Sequence, residues 1–269
     1  MAEARTVVVT GGTRGIGKGM SREFLKRGHR VVVCGRSDDS AAAAAAELAE
    51  HGEVIGKGCD VSDYASVQAL WDAAVERFGG VDIWINNAGI SNRRANVNEL
   101  RPEEMAEVVS TNLTGSFNGC RVAIEGMRKQ DNGGAVYVFE GFGSNGMTAP
   151  GLTPYGSTKR AISYMAQSLA KEVRGGNVIV GALSPGIVIT DMSMLAGGRD
   201  TDRAAQARRI YNILGDRVER VTPWLVEKVL ANRKNGASIK WLTSLRAAGR
   251  FMCPVYHRRD VVSDYAPGA

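Results

Sequence analysis

The sequence predicts an α/β domain in which one doubly wound parallel sheet carries helices on both faces. Three observations predict it. Across the first 190 residues, short apolar runs alternate strictly with longer amphipathic ones. The short runs are rich in β-branched residues and continuously apolar, the pattern of strands buried on both faces. The chain's 269 residues suit one large α/β domain with an ample core. Alternation at this spacing implies right-handed crossovers between parallel neighbours.

The elements follow in order. Residues 6–10 (TVVVT) read as the first strand, and a glycine turn leads to a helix over 15–27. The second strand is 30–34 (RVVVC), followed by a helix over 41–50. The alanines at 41–46 are strong helix formers rather than low complexity. Strand three is 53–58, and Asp63 is placed to N-cap a helix over 65–78. Strand four is 81–86 (VDIWIN). Pro102, suited to a first helical turn, opens a long helix to residue 129. A strand at 135–139 (AVYVF), a helix over 155–173 and a strand at 177–183 (NVIVGAL) complete the alternation. Gly197 and Gly198 break the composition. Beyond them 200–231 reads as helix interrupted near Gly215 and Pro223, 238–243 (SIKWLT) as a last strand, and the rest as basic and irregular. No repeat or Pro/Ser-rich linker divides the chain. Residues 1–269 read as one domain, with 191–269 its basic C-terminal lid and tail.

Composition excludes several classes. Hydrophobic residues at 44% and charged residues at 23% are ordinary for a folded domain, not for disorder. No run approaches the roughly 20 apolar residues of a membrane span. A strand beginning by residue 6 leaves no expected leader, and four scattered cysteines without C-x-x-C argue against a zinc site or a disulfide framework. Both fit a reducing, cytoplasmic setting. The net charge of +6 is uneven: residues 199–269 carry 14 Lys and Arg against 7 Asp and Glu, and the remainder carries 20 against 21. Aromatics at 6% and the absence of a binding motif set nucleic acid last. A solvated face is the first reading of the basic excess and a carboxylated substrate the second. An anionic membrane surface is the third, with no clean amphipathic basic helix legible for it.

The run Thr10-Gly11-Gly12-Thr13-Arg14-Gly15-Ile16-Gly17 joins a strand to a helix. Glycines allow close backbone approach and the helix start offers free N–H groups, so this turn suits a pyrophosphate. A purely structural turn is the competitor, and its place straight after the first strand favours the nucleotide. NAD enzymes usually end the second strand with an acid for the ribose 2′-hydroxyl. Here Cys34-Gly35-Arg36-Ser37 has an arginine instead, with Arg14 in the loop. Two guanidinium groups favour a 2′-phosphate, and therefore NADPH. Alone, Arg36 would be a solvated charge. Asp60 and Val61 end strand three at the expected adenine edge. Asn86-Asn87-Ala88-Gly89 ends strand four, where an Asn pair can close the turn under a cofactor.

Tyr155 and Lys159 lie four apart on one helix and share a face. A lysine cation there favours the phenolate and lowers the tyrosine pKa, and such a tyrosine can protonate an alkoxide as hydride arrives.

Taken together, Gly11-x-x-x-Gly15-x-Gly17, Asn86-Asn87-Ala88-Gly89, Asn112, Tyr155-x-x-x-Lys159 and Ser184-Pro185-Gly186 resemble the short-chain dehydrogenases/reductases over about residues 5–195. The resemblance implies a single Rossmann-type domain, Tyr155 as acid/base, and Lys159 as its tuner and a ribose ligand. It implies Asn112 holding a relay water, with Pro185, Gly186, Val188 and Thr190 flanking the nicotinamide. It also implies a homodimer or homotetramer through the helices carrying Asn112 and Tyr155. One departure stands out. The family's serine, some thirteen residues before the tyrosine, is replaced by Phe142, and Ser144 is the candidate to reach the substrate carbonyl through a shortened loop. The alternative is that Ser144 is a turn residue among glycines. Glu140 is unusual near a hydride-transfer site.

The departure itself resembles a narrower group. Glu140-Gly141-Phe142-Gly143-Ser144-Asn145-Gly146 and Tyr155-Gly156-Ser157-Thr158-Lys159 look like the plant chlorophyll b reductases and their bacterial relatives, as do Ile210-Tyr211-Asn212-Ile213-Leu214 and Lys240-Trp241-Leu242-Thr243. That group reduces the C7 formyl of chlorophyll(ide) b. The expected function is thus an NADPH-dependent carbonyl reductase acting on a bulky, apolar substrate. The alternatives are a general ketone reductase or alcohol dehydrogenase and, in another class, a non-catalytic NADP-binding regulator. Met192, Met194, Leu195, Ile210, Leu214, Trp224 and Leu225 are candidates for an apolar pocket, with ordinary core the competing reading.

Overall fold

The structure is a computed structural model that describes residues 3–196, 201–263 and 265. Gly197, Gly198 and Asp200, and the side chain of Leu195, lie outside the described residues. The described strands are β1 (Thr6–Val9), β2 (Arg30–Gly35), β3 (Val54–Gly58), β4 (Ile83–Asn86), β5 (Gly134–Phe139), β6 (Val178–Ser184) and β7 (Ala237–Lys240). They form one sheet in the order β3-β2-β1-β4-β5-β6-β7, all parallel.

The continuous apolar strands are explained by two cores. Val8, Val32, Trp84, Val136 and Val180 face one layer, built from α3 (Tyr64–Phe78), α5 (Gly115–Met127) and α6 (Thr153–Glu172). Val7, Val9, Val31, Val33, Ile83, Ile85 and Leu183 face the other, built from α1 (Gly15–Lys26), α2 (Asp38–Leu48) and α9 (Val218–Ala231). Alternate residues of each strand point to opposite faces, so both sets must be apolar. The strand order reverses between β1 and β4. The crevice at the carboxyl ends of these two strands is where an open α/β sheet accepts a ligand.

Several boundaries differ from expectation. Helix α2 begins at Asp38, three residues early, because Ser37 caps it by accepting from the Ser40 N–H at 3.3 Å. Asp38 and Asp39 then suit the positive helix start. Asp63 caps α3 as expected, accepting from Ala65 N–H at 3.1 Å. The single helix expected over 102–129 is instead α4 (Pro102–Val109), a π-helical turn at Ser110–Thr114 and α5. Gly215 does end α8 (Thr201–Leu214), but Pro223 lies inside α9 without ending it. A proline six residues into a helix forfeits only one backbone hydrogen bond, to residue 219, and the apolar face here is held against α1 by Val221, Leu225 and Val226. The segment expected to be irregular folds as α10 (Ser244–Met252) and α11 (Pro254–His257). The remaining helix, α7 (Asp191–Ala196), follows β6.

Part of the tail's positive charge is structural rather than solvated. Asp216 is fully buried. Its Oδ2 accepts from Arg250 Nη2 at 2.6 Å and from Trp241 Nε1 at 2.7 Å, and its Oδ1 from Arg259 Nη2 at 3.2 Å. Arg220 lies 3.4 Å from Oδ1. The Asp216 backbone bonds Ile187 and Ile189, so this one residue, through its backbone and its carboxylate, ties the loop after β6 to the end of β7, α10 and the tail. A buried carboxylate requires such partners.

Candidate active site

The glycine loop is held from the side by the end of β4. Thr10 Oγ1 accepts from the N–H groups of Asn87 and Ala88, each at 3.1 Å, and Asn87 Nδ2 donates to the carbonyls of Thr10 and Gly11, each at 2.9 Å. A Cβ at Gly17 would overlap the Gly11 carbonyl and Asn87, which fixes glycine there. Gly15 has φ +54° and faces Thr190, whose Cγ2 is 3.5 Å from where a Cβ would stand. Ile16 packs into the α1-side core, and Thr13 lies against Gly35, where a Cβ would come within 2.7 Å of its Cγ2. Arg14 is the exposed N-cap of α1 and provides no side-chain cap, and no acid occupies the first turn. The start of α1 is thus an uncapped positive terminus facing a small open cradle, and it fits a pyrophosphate.

Arg36 is exposed just after β2 and stands 3.7 Å from Glu107, a loose surface pair. The nearby acid Asp38 is turned away and accepts from the Gly58 N–H at 2.7 Å. At the adenine edge, Asp60 is exposed and its Oδ1 accepts from both Ser62 N–H and Ser62 Oγ, whereas Val61 is buried in the core. At the other end, Pro185 is buried, Gly186 packs on Leu242, Val188 bridges to Asp216, and Thr190 exchanges hydrogen bonds with Ser193.

Three polar side chains meet at the end of β4. Lys159 is 6% exposed, and its Nζ donates to the Phe139 carbonyl at 3.0 Å. Asn112, fully buried in the π-helical turn, clamps Ile90: its Oδ1 accepts from Ile90 N–H at 2.8 Å and its Nδ2 donates to Ile90 O at 2.9 Å. The second amide hydrogen goes to Thr158 Oγ1 at 3.1 Å. Gly89 lies between them: its Cβ position is 3.2 Å from Asn112 Oδ1 and 3.7 Å from Lys159 Nζ. The Tyr155 hydroxyl stands over Gly141, where a Cβ would come within 2.5 Å of it. A π-turn at such a place is a common device for aiming side chains.

One expectation is corrected here. Lys159 does not lower the Tyr155 pKa in this arrangement. Burial, assisted by the neighbouring Tyr211, pushes Tyr155 up to about 12, while burial pushes Lys159 down to about 8 against the opposing Glu140 charge. Lys159 is buried and Tyr155 half-buried beside it, and the ammonium is 5.8 Å from the tyrosine ring centroid, bonded to a carbonyl instead. Ser144 makes the contacts of the turn-residue alternative. Its hydroxyl accepts from Gly141 N–H at 3.0 Å and donates to the Lys159 carbonyl at 3.1 Å, so it closes the turn and pins it to α6.

The apolar pocket candidates divide. Leu225 is core on the α1 side and Trp224 packs edge-on against Trp241, so neither lines a pocket. Met192, Met194 and Ile210 are each 36% exposed, and Leu214 is half-buried. Sequence reasoning missed Thr10, Thr158 and Asp216. The signal for the first two was present, as hydroxyls inside the two strongest motifs. Asp216 had almost none, because apart from Arg220 its side-chain partners lie 25 to 43 residues away.

Comparison with known proteins accords with this geometry. Residues 5–199 match the family model described as short chain dehydrogenase. The chlorophyll(ide) b reductase NOL, chloroplastic, of Oryza sativa subsp. japonica is 38% identical over 266 residues, covering 93% of this chain and 75% of the relative. The probable chlorophyll(ide) b reductase NYC1, chloroplastic, of the same plant is 35% identical over 263 residues and 91% of this chain, which spans about half (51%) of that relative's length. The NADPH-dependent pterin aldehyde reductase of Arabidopsis thaliana is 35% identical over 189 residues, covering 70% of this chain and 77% of the relative.

Proposed function

The chain belongs to the short-chain dehydrogenase family, and from that premise we propose that this oxidoreductase is an NADPH-dependent reductase of a bulky, apolar aldehyde or ketone. The convergence of Gly89, Asn112, Tyr155 and Lys159 beside an uncapped helix start carries the reading. NADPH supplies the hydride. The chain's own residues do the rest. The glycine loop and the start of α1 receive the pyrophosphate, with Arg14 and Arg36 at the 2′-phosphate and Asp60 and Val61 at the adenine edge. Pro185, Gly186, Val188 and Thr190 form the wall at the nicotinamide end. Lys159 holds positive charge beside the ribose. Tyr155 holds its proton at Oη until the carbonyl oxygen acquires charge, then transfers it, and burial favours the protonated hydroxyl until then. Asn112 is a positioning residue that fixes Ile90 and so the floor of the site. Ser144 positions the Gly141 turn over Tyr155.

The chlorophyll(ide) b reductases among the relatives make the formyl group of chlorophyll(ide) b the first substrate to test, and the pterin aldehyde reductase makes other aldehydes the second. The experiment is an absorbance assay at about 340 nm with NADPH and with NADH on a panel holding chlorophyllide b, simple aldehydes and ketones, with Tyr155→Phe as control. NADPH-preferred turnover that Tyr155→Phe abolishes, with cofactor binding retained, is the expected result. Preference for NADH overturns the roles of Arg14 and Arg36. Tight binding without turnover on any carbonyl replaces the enzyme reading with that of a cofactor-binding regulator.

A further inference from the structure

Helix α10 is inside out. Its buried arginine faces inward: Arg250 is 3% exposed and pairs with Asp216, while the exposed Arg246 lies along Trp241, its Nη1 donating to that residue's carbonyl at 2.6 Å and its guanidinium 4.4 Å from the ring centroid. Positions 245, 248, 249 and 252, spaced i, i+3, i+4 and i+7, share the opposite face and carry Leu, Ala, Gly and Met. Leu245 is 84% exposed and Met252 78%. The apolar surface continues onto α11, where Val255 is 68% exposed. Surface helices of a globular domain turn their apolar stripe toward the core. This one turns it away, so the stripe is shaped for something outside the monomer.

The charges around it say what. Residues 240–259 contain five Lys and Arg and no Asp or Glu. Asp216 takes up Arg250 and Arg259, which leaves Lys240, Arg246 and Arg258 exposed beside the stripe. Asp260, the next acid along the chain, receives Arg208 at 3.4 Å. A second copy docked by the same face would set these cations against their equivalents, because a two-fold interface is self-complementary. Protruding apolar residues rimmed by cations fit a surface that is apolar within and anionic at its boundary.

We propose that the face formed by α10 and α11 docks on an anionic lipid bilayer, with Leu245, Met252 and Val255 entering the acyl boundary and Lys240, Arg246 and Arg258 at the headgroups. The face adjoins the candidate cleft: Leu242, two residues before α10, packs on Gly186 at the expected nicotinamide end. The proposal goes beyond the carbonyl-reductase reading and does not require it.

The test is sedimentation of the full chain with vesicles of phosphatidylcholine alone and of phosphatidylcholine mixed with phosphatidylglycerol. Binding to the mixed vesicles, at least about tenfold weaker to the neutral ones and weakened by added salt, is expected. The double variant Leu245→Ser, Met252→Ser should lower that binding at least about tenfold, with an unchanged thermal midpoint because both sites are exposed. Arg258→Glu, which acts through charge alone, should weaken it independently. Three results would overturn the proposal: no sedimentation with either vesicle, binding that ignores both variants, or a dimer in sedimentation velocity that Leu245→Ser, Met252→Ser splits without any vesicle binding.

Discussion

Tyr155 is half-buried and Lys159 buried beside it, and loss of water acts on the two in opposite directions. A phenol resists ionisation there and an ammonium gives up its proton more readily. Lys159, lowered from 10.5 to about 8, therefore loses its charge above about pH 8. Turnover in the reductive direction should fall through that range, and a Lys159→Arg variant, which stays charged, should lack the limb whatever its absolute rate. The stability consequence has a definite sign. Between about pH 8 and 10.5 the unfolded chain binds the proton that the folded one has released, so this group makes stability rise with pH across the window. Below it, the cost of burying the cation is fully present. Urea midpoints across that interval check this, with Lys159→Met flattening the slope. Tyr155→Phe should cost about 10²-fold or more in turnover while leaving NADPH affinity unchanged. Ser144→Ala should cost less than about tenfold in turnover and on the order of 1 kcal/mol in stability, because it removes a turn-closing hydroxyl. A Ser144→Ala loss as deep as that of Tyr155→Phe would put the hydroxyl on the substrate instead. The tyrosine–lysine spacing was legible because it is local. The direction of the pKa shifts and the partners of Ser144 were not, because both depend on what the fold lays over them.

At the scale of elements, the loops at the carboxyl ends of β1, β2 and β4 act as one unit. Thr10 and Asn87 stitch the glycine turn to the end of β4, so a change in either loop reaches the other. Gly17→Ala pushes a methyl into the Gly11 carbonyl and should weaken NADPH binding at least about tenfold, with a stability loss of about 1–3 kcal/mol; isothermal titration and a denaturant series separate the two effects. Removing both guanidinium groups (Arg14→Ala, Arg36→Ala) should weaken NADPH binding about tenfold and leave NADH affinity nearly unchanged, since a charge-assisted bond to a 2′-phosphate is lost only with the former. Strand identities were readable from β-branched runs buried on both faces. The π-turn at Ser110–Thr114 was not, since a single added residue per turn barely disturbs helical periodicity. Helix α10 was missed for a related reason. Its period is clear, but its polar face carries Arg250, which the fold buries, and its apolar face is exposed, so it presents no stripe toward a core.

For the molecule as a whole, the Asp216 cluster is the point where a single change should be felt most widely. Asp216→Asn leaves Arg250, 3% exposed, without its counter-charge, and should destabilise the protein by about 3–5 kcal/mol, the range for one orphaned partner of a buried pair. The loss should appear as a lower urea midpoint at an unchanged slope. The parallel sheet and its two helix layers were legible throughout because alternation is a property of the entire chain. The tail's charge was legible as an excess, but not its division between a buried cluster and an exposed rim.

The family match ends at residue 199, which suggests a seam where the final quarter could be exchanged between relatives. The Asp216 cluster denies one. The Asp216 backbone holds the Ile187–Ile189 loop on one side of that boundary, and its carboxylate holds Trp241, Arg250 and Arg259 on the other. A chimera joined at 199 would inherit a loop shaped for a latch supplied by a different parent. Residues 187–189, 216, 220, 241, 250 and 259 must therefore travel together as one cassette, whatever substrate specificity the graft is meant to import.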